Sequence, residues 1–317
     1  MKSLVAIVGP TGIGKSRLAI RLARKFDGEI VSADSRQVYR HMDIGTAKPD
    51  SQNREHIRHH LIDIIDPSQD FSLAQYQALA FDAIRDIQGR DKLPVLVGGS
   101  GLYVWAVLEG WHLPEAKPDP ELRRYLEKKA ADVGHQSLYE ELMKINPVAA
   151  QKIDPRNVRR VIRALEVHHQ TDTAFSQLQD KKTPPFRSLI IGLTAERKEL
   201  YRQIDKRVDD MMEQGLVGEV EKLVNMGYDF NLPAMSSIGY KQIALSLRGE
   251  ISLEDAVQQI KYETHRFARH QYAWFRLNDA RIHWFDIAQI QEAGIEVLVS
   301  RFLEGEPEHE EMVKISE

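Results

Sequence analysis

Gly9-Pro10-Thr11-Gly12-Ile13-Gly14-Lys15-Ser16 follows the apolar run Leu4-Val5-Ala6-Ile7-Val8 and opens a helical pattern from Lys15 to about Phe26. The octapeptide satisfies G-x-x-x-x-G-K-[ST] in full. Its glycines let the backbone wrap a phosphate chain while successive N–H groups point inward. The helix that starts at Lys15 adds its positive dipole end, Lys15 a point charge, and Ser16 a hydroxyl for Mg²⁺. A continuous, partly β-branched run before the loop is what a parallel strand covered on both faces needs. Leu18, Leu22, Ala23 and Phe26 line one face of the helix after it. Strand, loop and helix together predict a polyphosphate site, without saying which polyphosphate: hydrolysis, phosphoryl transfer and pyrophosphate departure all gather negative charge in the same cradle.

Outward from the loop, Glu29 to Ala33 reads as a second strand ending at Asp34, and His60 to Ile65 as a third. Ser72 to Gln88 reads as an amphipathic helix with Ser72 as its cap. Pro94 to Val97 is another buried-type strand, followed by Gly98-Gly99-Ser100-Gly101 and a helix through Leu108. Short strands alternating with helices predict an α/β fold, a P-loop NTPase-like parallel sheet core flanked by helices. Three prolines between Leu113 and Pro120 mark a boundary. Beyond it every periodic stretch to about Gln179 is helical, and Ser188 to Leu193 resumes the strand pattern. The expected organisation is a discontinuous core, 1–115 and 188–302, an all-helical insertion domain, 116–187, and a mobile acidic tail, 303–317.

The chain has 317 residues, 43 Lys+Arg against 47 Asp+Glu, a net charge of −4 and no cysteine. The missing cysteines exclude disulfide frameworks, thiolate zinc sites and thiol nucleophiles, and fit a reducing cytoplasm. No run approaches the roughly 18 apolar residues of a membrane span. The net charge speaks against a nucleic-acid partner only as a total. Residues 116–188 hold 14 Lys+Arg against 10 Asp+Glu, whereas 303–317 hold 1 Lys against 6 Glu. A basic insertion is thus averaged with an acidic appendage.

Asp34, in Val31-Ser32-Ala33-Asp34-Ser35-Arg36-Gln37-Val38-Tyr39, stands at the C-terminal edge of the second strand, where open parallel sheets bind ligands. Position alone allows a carboxylate that orients or deprotonates a nucleophile, or one that caps a turn. Ser100, in the other glycine-rich turn, is equally able to reach phosphates or to serve the turn. Asp63 and Asp66 are candidates for holding Mg²⁺ through water, or simply the end of a strand before Pro67.

The blocks Gly9 to Ser16, Asp34-Ser35-Arg36-Gln37-Val38-Tyr39, Asp43-Ile44-Gly45-Thr46-Ala47-Lys48-Pro49 and Gly98-Gly99-Ser100-Gly101-Leu102-Tyr103 resemble those of bacterial tRNA dimethylallyltransferases. Arg163-Ala164-Leu165-Glu166, Gly215 to Val220, Ile238-Gly239-Tyr240-Lys241-Gln242 and Arg269-His270-Gln271 with Trp274-Phe275-Arg276 extend the likeness over roughly residues 3 to 286. The resemblance implies prenylation of N6 of the adenosine immediately 3′ of the anticodon, with dimethylallyl diphosphate as donor and Mg²⁺ as cofactor. It implies that Thr11, Lys15, Ser16 and the loop N–H groups stabilise the departing pyrophosphate. Asp34 becomes the base or acceptor for the exocyclic amine, and Arg207 a catalytic contact near the diphosphate, a solvated helix face being its bland alternative. Asp34, Ser35, Arg36, Gln37 and Ser100 are implied to contact tRNA at the site. In the insertion, Arg123 and the run Arg159-Arg160-Val161-Ile162-Arg163 are implied to meet the anticodon stem-loop. Val161 and Ile162 also fit the packed face of that helix. The expected enzyme is a cytoplasmic monomer.

Two arginines of the family pattern Thr-Arg-Arg-x-Ala-Lys-Arg-Gln are replaced here, by His265 and His270. RNA contacts are not carried over to them. Two other readings compete: a small-molecule kinase in which Asp34 activates a hydroxyl, and a nucleotide-switched RNA-binding module. The kinase reading leaves the long basic insertion and the Trp274-Phe275-Arg276 region without a task.

Overall fold

The computed structural model describes residues 2–49, 56–113, 119–171, 182–289 and 292–305. The chain divides into two compact units, one formed by Met1–Leu108 with Pro184–Glu317, the other by Glu109–Thr183. The second unit thus begins seven residues before, and ends four residues before, the 116–187 read from the prolines.

The first unit is built on a six-stranded, wholly parallel sheet ordered β3-β2-β4-β1-β5-β6. Its strands are β1 (Lys2–Val8), β2 (Gly28–Ser32), β3 (His59–His60), β4 (Leu93–Val97), β5 (Phe186–Thr194) and β6 (Ile282–Asp286). β1 is central, with Val5 opposite Val95 on one side and Leu189 on the other. Leu4 to Val8 are buried because helices cover both faces. The connection leaving β1 runs to β2, whereas that leaving β4 leads toward β5 on the opposite side. The loops therefore part between neighbours β1 and β4, the place where open sheets bind ligands.

Helix α1 (Lys15–Lys25) buries Leu18, Ala19, Leu22 and Ala23 against the sheet. Helix α2 (Leu73–Gly89) begins at a capping box in which Ser72 and Gln75 satisfy each other's backbone amides, an arrangement that contributes about 1 kcal/mol. Helix α3 (Gly101–Leu108) follows β4 directly. The third strand is shorter than the sequence suggests. Only His59 and His60 pair with β2, and Leu61 and Asp63 take positive φ (64° and 57°), which no strand accommodates. The alternation from Leu61 to Ile65 is that of a turn, with one bridge from Tyr39 to Ile65.

After β5 come α8 (Arg197–Glu213), α9 (Leu216–Asn225), α10 (Tyr240–Leu247) and α11 (Leu253–Trp274), and α12 (Glu292–Glu304) follows β6. α8 to α11 bury Val208, Leu216, Val220, Tyr240, Ile243 and Ile260 together with Val38 and Met42, so the segment after β2 is packed onto them. α12 runs to Glu304, past the expected start of the tail at 303, and residues 306–317 lie outside the described ones. Among the described residues no helix is long and apolar enough to cross a membrane.

The second unit holds α4 (Pro120–Val133), α5 (His135–Ile145), α6 (Pro147–Gln151) and α7 (Val158–Thr171), packed around Leu126, Leu138, Leu142, Ala150, Val161, Ile162 and Leu165. Asp119 caps α4 by accepting from the amides of Glu121 and Leu122.

Candidate active site

The phosphate loop joins β1 to α1. Gly9 has φ +135°, and a Cβ there would stand 2.4 Å from the carbonyl oxygen of Leu193, so the backbone can leave the sheet only with glycine. Lys15 Nζ donates to the Pro10 carbonyl at 2.7 Å, folding the side chain back over the loop. Arg207, on α8, donates from Nη1 to Thr11 Oγ1 at 3.2 Å. Burial pushes the Lys15 amine down to about 7, the Arg207 charge adds to this, and Asp34 opposes it. Burial also lowers Arg207, again against Asp34. Two cations thus share the Asp34 carboxylate in a poorly solvated place. That is the electrostatic condition for taking up a polyanion.

Asp34 stands two residues beyond β2. Its Oδ1 accepts from the Arg36 amide at 2.8 Å, so the carboxylate caps its own turn and is held in one orientation by it. Ser100 Oγ accepts from the Ser35 amide at 3.0 Å and donates to Ser35 Oγ at 3.3 Å, tying the turn after β4 to the turn after β2. Arg36 reaches the Pro233 carbonyl at 3.2 Å. Gln37 accepts from Ser32 Oγ at 3.1 Å and donates to the carbonyls of Thr46 and Ala47 at 3.2 and 3.3 Å.

Two cavities meet here. The larger, about 730 Å³, is lined by Thr11, Gly12, Gly14, Lys15, Ser16, Asp34, Gln37 and Arg207 among others. The smaller, about 280 Å³, brings Ser35, Arg36, Ser100 and Phe267 to the same centre. Thr11, Lys15, Asp34, Gly99, Arg207 and Met211 belong to both. The shared residues include both cations and the carboxylate, so a ligand in one cavity faces a ligand in the other across the charged groups.

The family model for IPP transferase matches residues 37–278. The chain belongs to the IPP transferase family. It is 51% identical over 300 residues to a tRNA dimethylallyltransferase of Dehalococcoides mccartyi, covering 95% of this chain and 92% of the relative. It is 53% identical over 276 residues to one of Roseiflexus castenholzii, covering 87% and 90%. The crystal structure of the full-length tRNA isopentenylpyrophosphate transferase of Bacillus halodurans superposes with a TM-score of 0.70 at 42% identity, over 96% of both chains. A eukaryotic dimethylallyltransferase acting on tRNA superposes with a TM-score of 0.84 at 29% identity, over 98% of this chain and 82% of its own. As an IPP transferase family member, the chain is a transferase with a P-loop NTPase-like core.

Within this IPP transferase, the other residues singled out from the sequence are sorted by their surroundings. Ile13 is 2% exposed and packs in the core, and neither it nor Gly9 or Pro10 lines either of these two cavities. Asp63 and Asp66 line neither cavity. Asp63 Oδ1 accepts from Lys48 Nζ at 2.6 Å, and Asp66 pairs with Arg40, because the turn at Leu61 and Asp63 carries them away from the sheet edge. Among the described residues no group of three or more His, Asp or Glu is arranged to hold a metal. In the helical unit Arg159 and Arg160 are exposed, whereas the side chains of Val161 and Ile162 are buried in its core and have no surface to offer RNA. Arg123 and Arg163 both bind the fully buried Glu166, at 2.9 and 2.5 Å, and the Asp119 amide is a third partner at 2.6 Å. Burial would raise the Glu166 carboxyl, but these hydrogen bonds outweigh it and hold the group below its ordinary range. His265 stacks on Tyr201 at 4.0 Å and stands 2.8 Å from Asp205, so it packs between α8 and α11, while His270 is exposed.

One site residue had no role assigned from sequence. Gln271, on α11, is buried. It accepts from the Thr11 amide at 2.7 Å and donates to the Gly99 carbonyl at 2.9 Å, bridging the two glycine-rich turns. A glutamine on the apolar side of a long amphipathic helix is the one sequence signal that could have drawn attention to it.

Proposed function

We propose that this enzyme moves a dimethylallyl group from dimethylallyl diphosphate to N6 of the adenosine immediately 3′ of the anticodon of tRNA, releasing diphosphate. The observation that carries this reading is the pair of cavities meeting at Lys15, Arg207 and Asp34. The donor's diphosphate lies in the larger cavity, against the loop amides, Lys15 and Arg207. The extruded adenine enters the smaller one, past Ser35, Arg36 and Ser100. A loop base unstacks at low cost and needs such a pocket.

In the transfer, the N6 lone pair forms a bond to C1 of the prenyl group as the C1–O bond breaks, and the bonding electrons leave on diphosphate. Asp34 accepts the proton that the alkylated amine must lose. Lys15, Arg207 and the loop amides meet the charge that grows on the leaving oxygen. Mg²⁺ takes few protein ligands and several phosphate oxygens, so the Ser16 hydroxyl at the cavity wall is a fitting anchor, and the ion would neutralise diphosphate charge. Arg159 and Arg160, with the remaining faces of Arg123 and Arg163, supply phosphate contacts to the anticodon stem-loop. The enzyme acts in the cytoplasm as a monomer.

Incubation with labelled dimethylallyl diphosphate and unmodified tRNA tests the reading. Label on the adenosine 3′ of the anticodon supports it. Consumption of ATP on a small alcohol with no label in RNA would establish the kinase alternative instead.

A further inference from the structure

The segment Asp43 to Ala47 has no regular secondary structure, yet it walls both cavities: Asp43, Ile44 and Ala47 line the larger, Gly45 and Thr46 the smaller. Its fixing point is remote in sequence. The Glu219 carboxylate, on α9, accepts from three successive amides, those of Asp43 at 2.9 Å, Ile44 at 2.8 Å and Gly45 at 3.1 Å. A fourth bond comes from the Tyr240 hydroxyl at 2.5 Å. Successive amides turned to one side form a concavity for an anion, and here the anion is a side chain of the protein itself. Tyr240 is fully buried, and its ring comes within 2.5 Å of where a Gly45 Cβ would stand, so the turn is pressed onto the ring face. Ala47 is held at φ +47°, and Thr46 Oγ1 donates to the Met42 carbonyl at 2.5 Å.

What this turn presents is two carbonyl oxygens. Those of Thr46 and Ala47 receive the Gln37 carboxamide, whose oxygen is taken by Ser32. Gln37 lines the larger cavity beside Asp34. Its orientation therefore depends on where the 43–47 turn sits, and the turn depends on Glu219. We propose that Glu219, braced by Tyr240, is a positioning residue that acts through the 43–47 turn, whose Gly45 and Thr46 wall the smaller cavity, to set the seat of the acceptor base. The inference rests on the prenyl-transfer reading for the identity of that acceptor. The groups that meet the diphosphate are untouched, since Lys15 is held by Pro10, Arg207 by Thr11 and the Thr11 amide by Gln271, without recourse to the turn.

Glu219→Gln places an amide NH₂ against backbone donors and removes the charge they converge on. Tyr240→Phe removes only the fourth bond. Steady-state kinetics should show the tRNA KM of Glu219→Gln raised about tenfold or more, with kcat reduced and the donor KM within about twofold of wild type. Tyr240→Phe should shift the same parameters in the same direction by less. Equilibrium binding of inorganic pyrophosphate should be unchanged in both. If Glu219→Gln does not fold, the same split in Tyr240→Phe decides. Equal rises in both KM values, or a lowered melting temperature with unchanged tRNA KM, would overturn the proposal and leave Glu219 a scaffold residue. If wild type prenylates no tRNA, the functional reading fails by itself. Direct tRNA binding by the variants then still decides: an affinity loss of about tenfold supports the positioning role, and wild-type affinity refutes it.

Discussion

Lys15 offers the sharpest test of the charged centre. Burial and the neighbouring Arg207 bring its amine down to about 7, with Asp34 resisting. A diphosphate seated on the loop reverses the balance, because several negative charges now face the ammonium, and its proton affinity returns toward the ordinary 10.4. Binding must therefore take up a proton wherever the free site has lost one. With a free-site value near 7, about one Lys15 in eleven is protonated at pH 8, so diphosphate uptake should carry about 0.9 proton. From pH 7 to pH 9 the same linkage weakens the affinity about 50-fold, provided the bound amine stays charged throughout. Calorimetric titration of inorganic pyrophosphate in buffers of different ionisation enthalpy counts these protons. Lys15→Arg, charged at every pH used, serves as the reference that cancels the ligand's own ionisation. The sign for folding is opposite. The lowered amine binds fewer protons folded than unfolded, so this group's contribution to the stability of the free enzyme rises from pH 7 to about 10. Identical proton uptake by wild type and Lys15→Arg would refute the placement of Lys15 in a desolvated cationic pair.

Other outcomes follow from the same geometry. Asp34→Ala should abolish turnover while keeping much of the tRNA affinity, as read by single-turnover kinetics beside filter binding; parallel loss of both would make Asp34 a binding residue only. Arg160→Ala should weaken tRNA binding and lower the slope of log affinity against log salt by about 0.7 to 0.9, and an unchanged slope removes it from the interface. Glu166→Gln strips two half-exposed arginines of a shared buried partner and should cost the helical unit about 2 kcal/mol, seen in thermal unfolding. Because Glu166 is held below its ordinary range, its contribution is complete above about pH 4.5 and is lost as pH falls through its folded value, so the difference between variant and wild type should shrink in acid.

The parts of this fold written in local chemistry were legible in the sequence. A strand buried on both faces, a glycine loop and a helix start are each specified by neighbouring residues, and β1, the loop and α1 fall within a residue or two of the reading. The Ser72 cap is legible for the same reason. What escaped depends on distant partners. The alternation from Leu61 to Ile65 has the period of a strand, but two positive-φ residues turn it into a bend that only the Lys48 contacts and the bridge to Tyr39 explain. The buried Glu166 that Arg123 and Arg163 share is likewise no part of any local pattern. Gln271 and Glu219 reach the site across 260 and about 175 residues of chain, and no local pattern encodes such a reach.

The net charge of −4 says nothing of this centre, where the decisive feature is the Asp34 carboxylate shared by two buried cations. In the resting site Asp34 partly neutralises Lys15 and Arg207, which makes burying them tolerable. In the proposed transfer Asp34 takes the N6 proton and loses its charge. Both cations then lose their internal counterion while the freed diphosphate, now carrying its full charge, still faces them. Their attraction for the leaving group is strongest at that moment, and the low polarity that depresses Lys15 amplifies it. The base that serves the nucleophile thereby also governs the electrostatics of the leaving group, and its place between the two cavities, rather than its intrinsic basicity, is what lets a single aspartate do both.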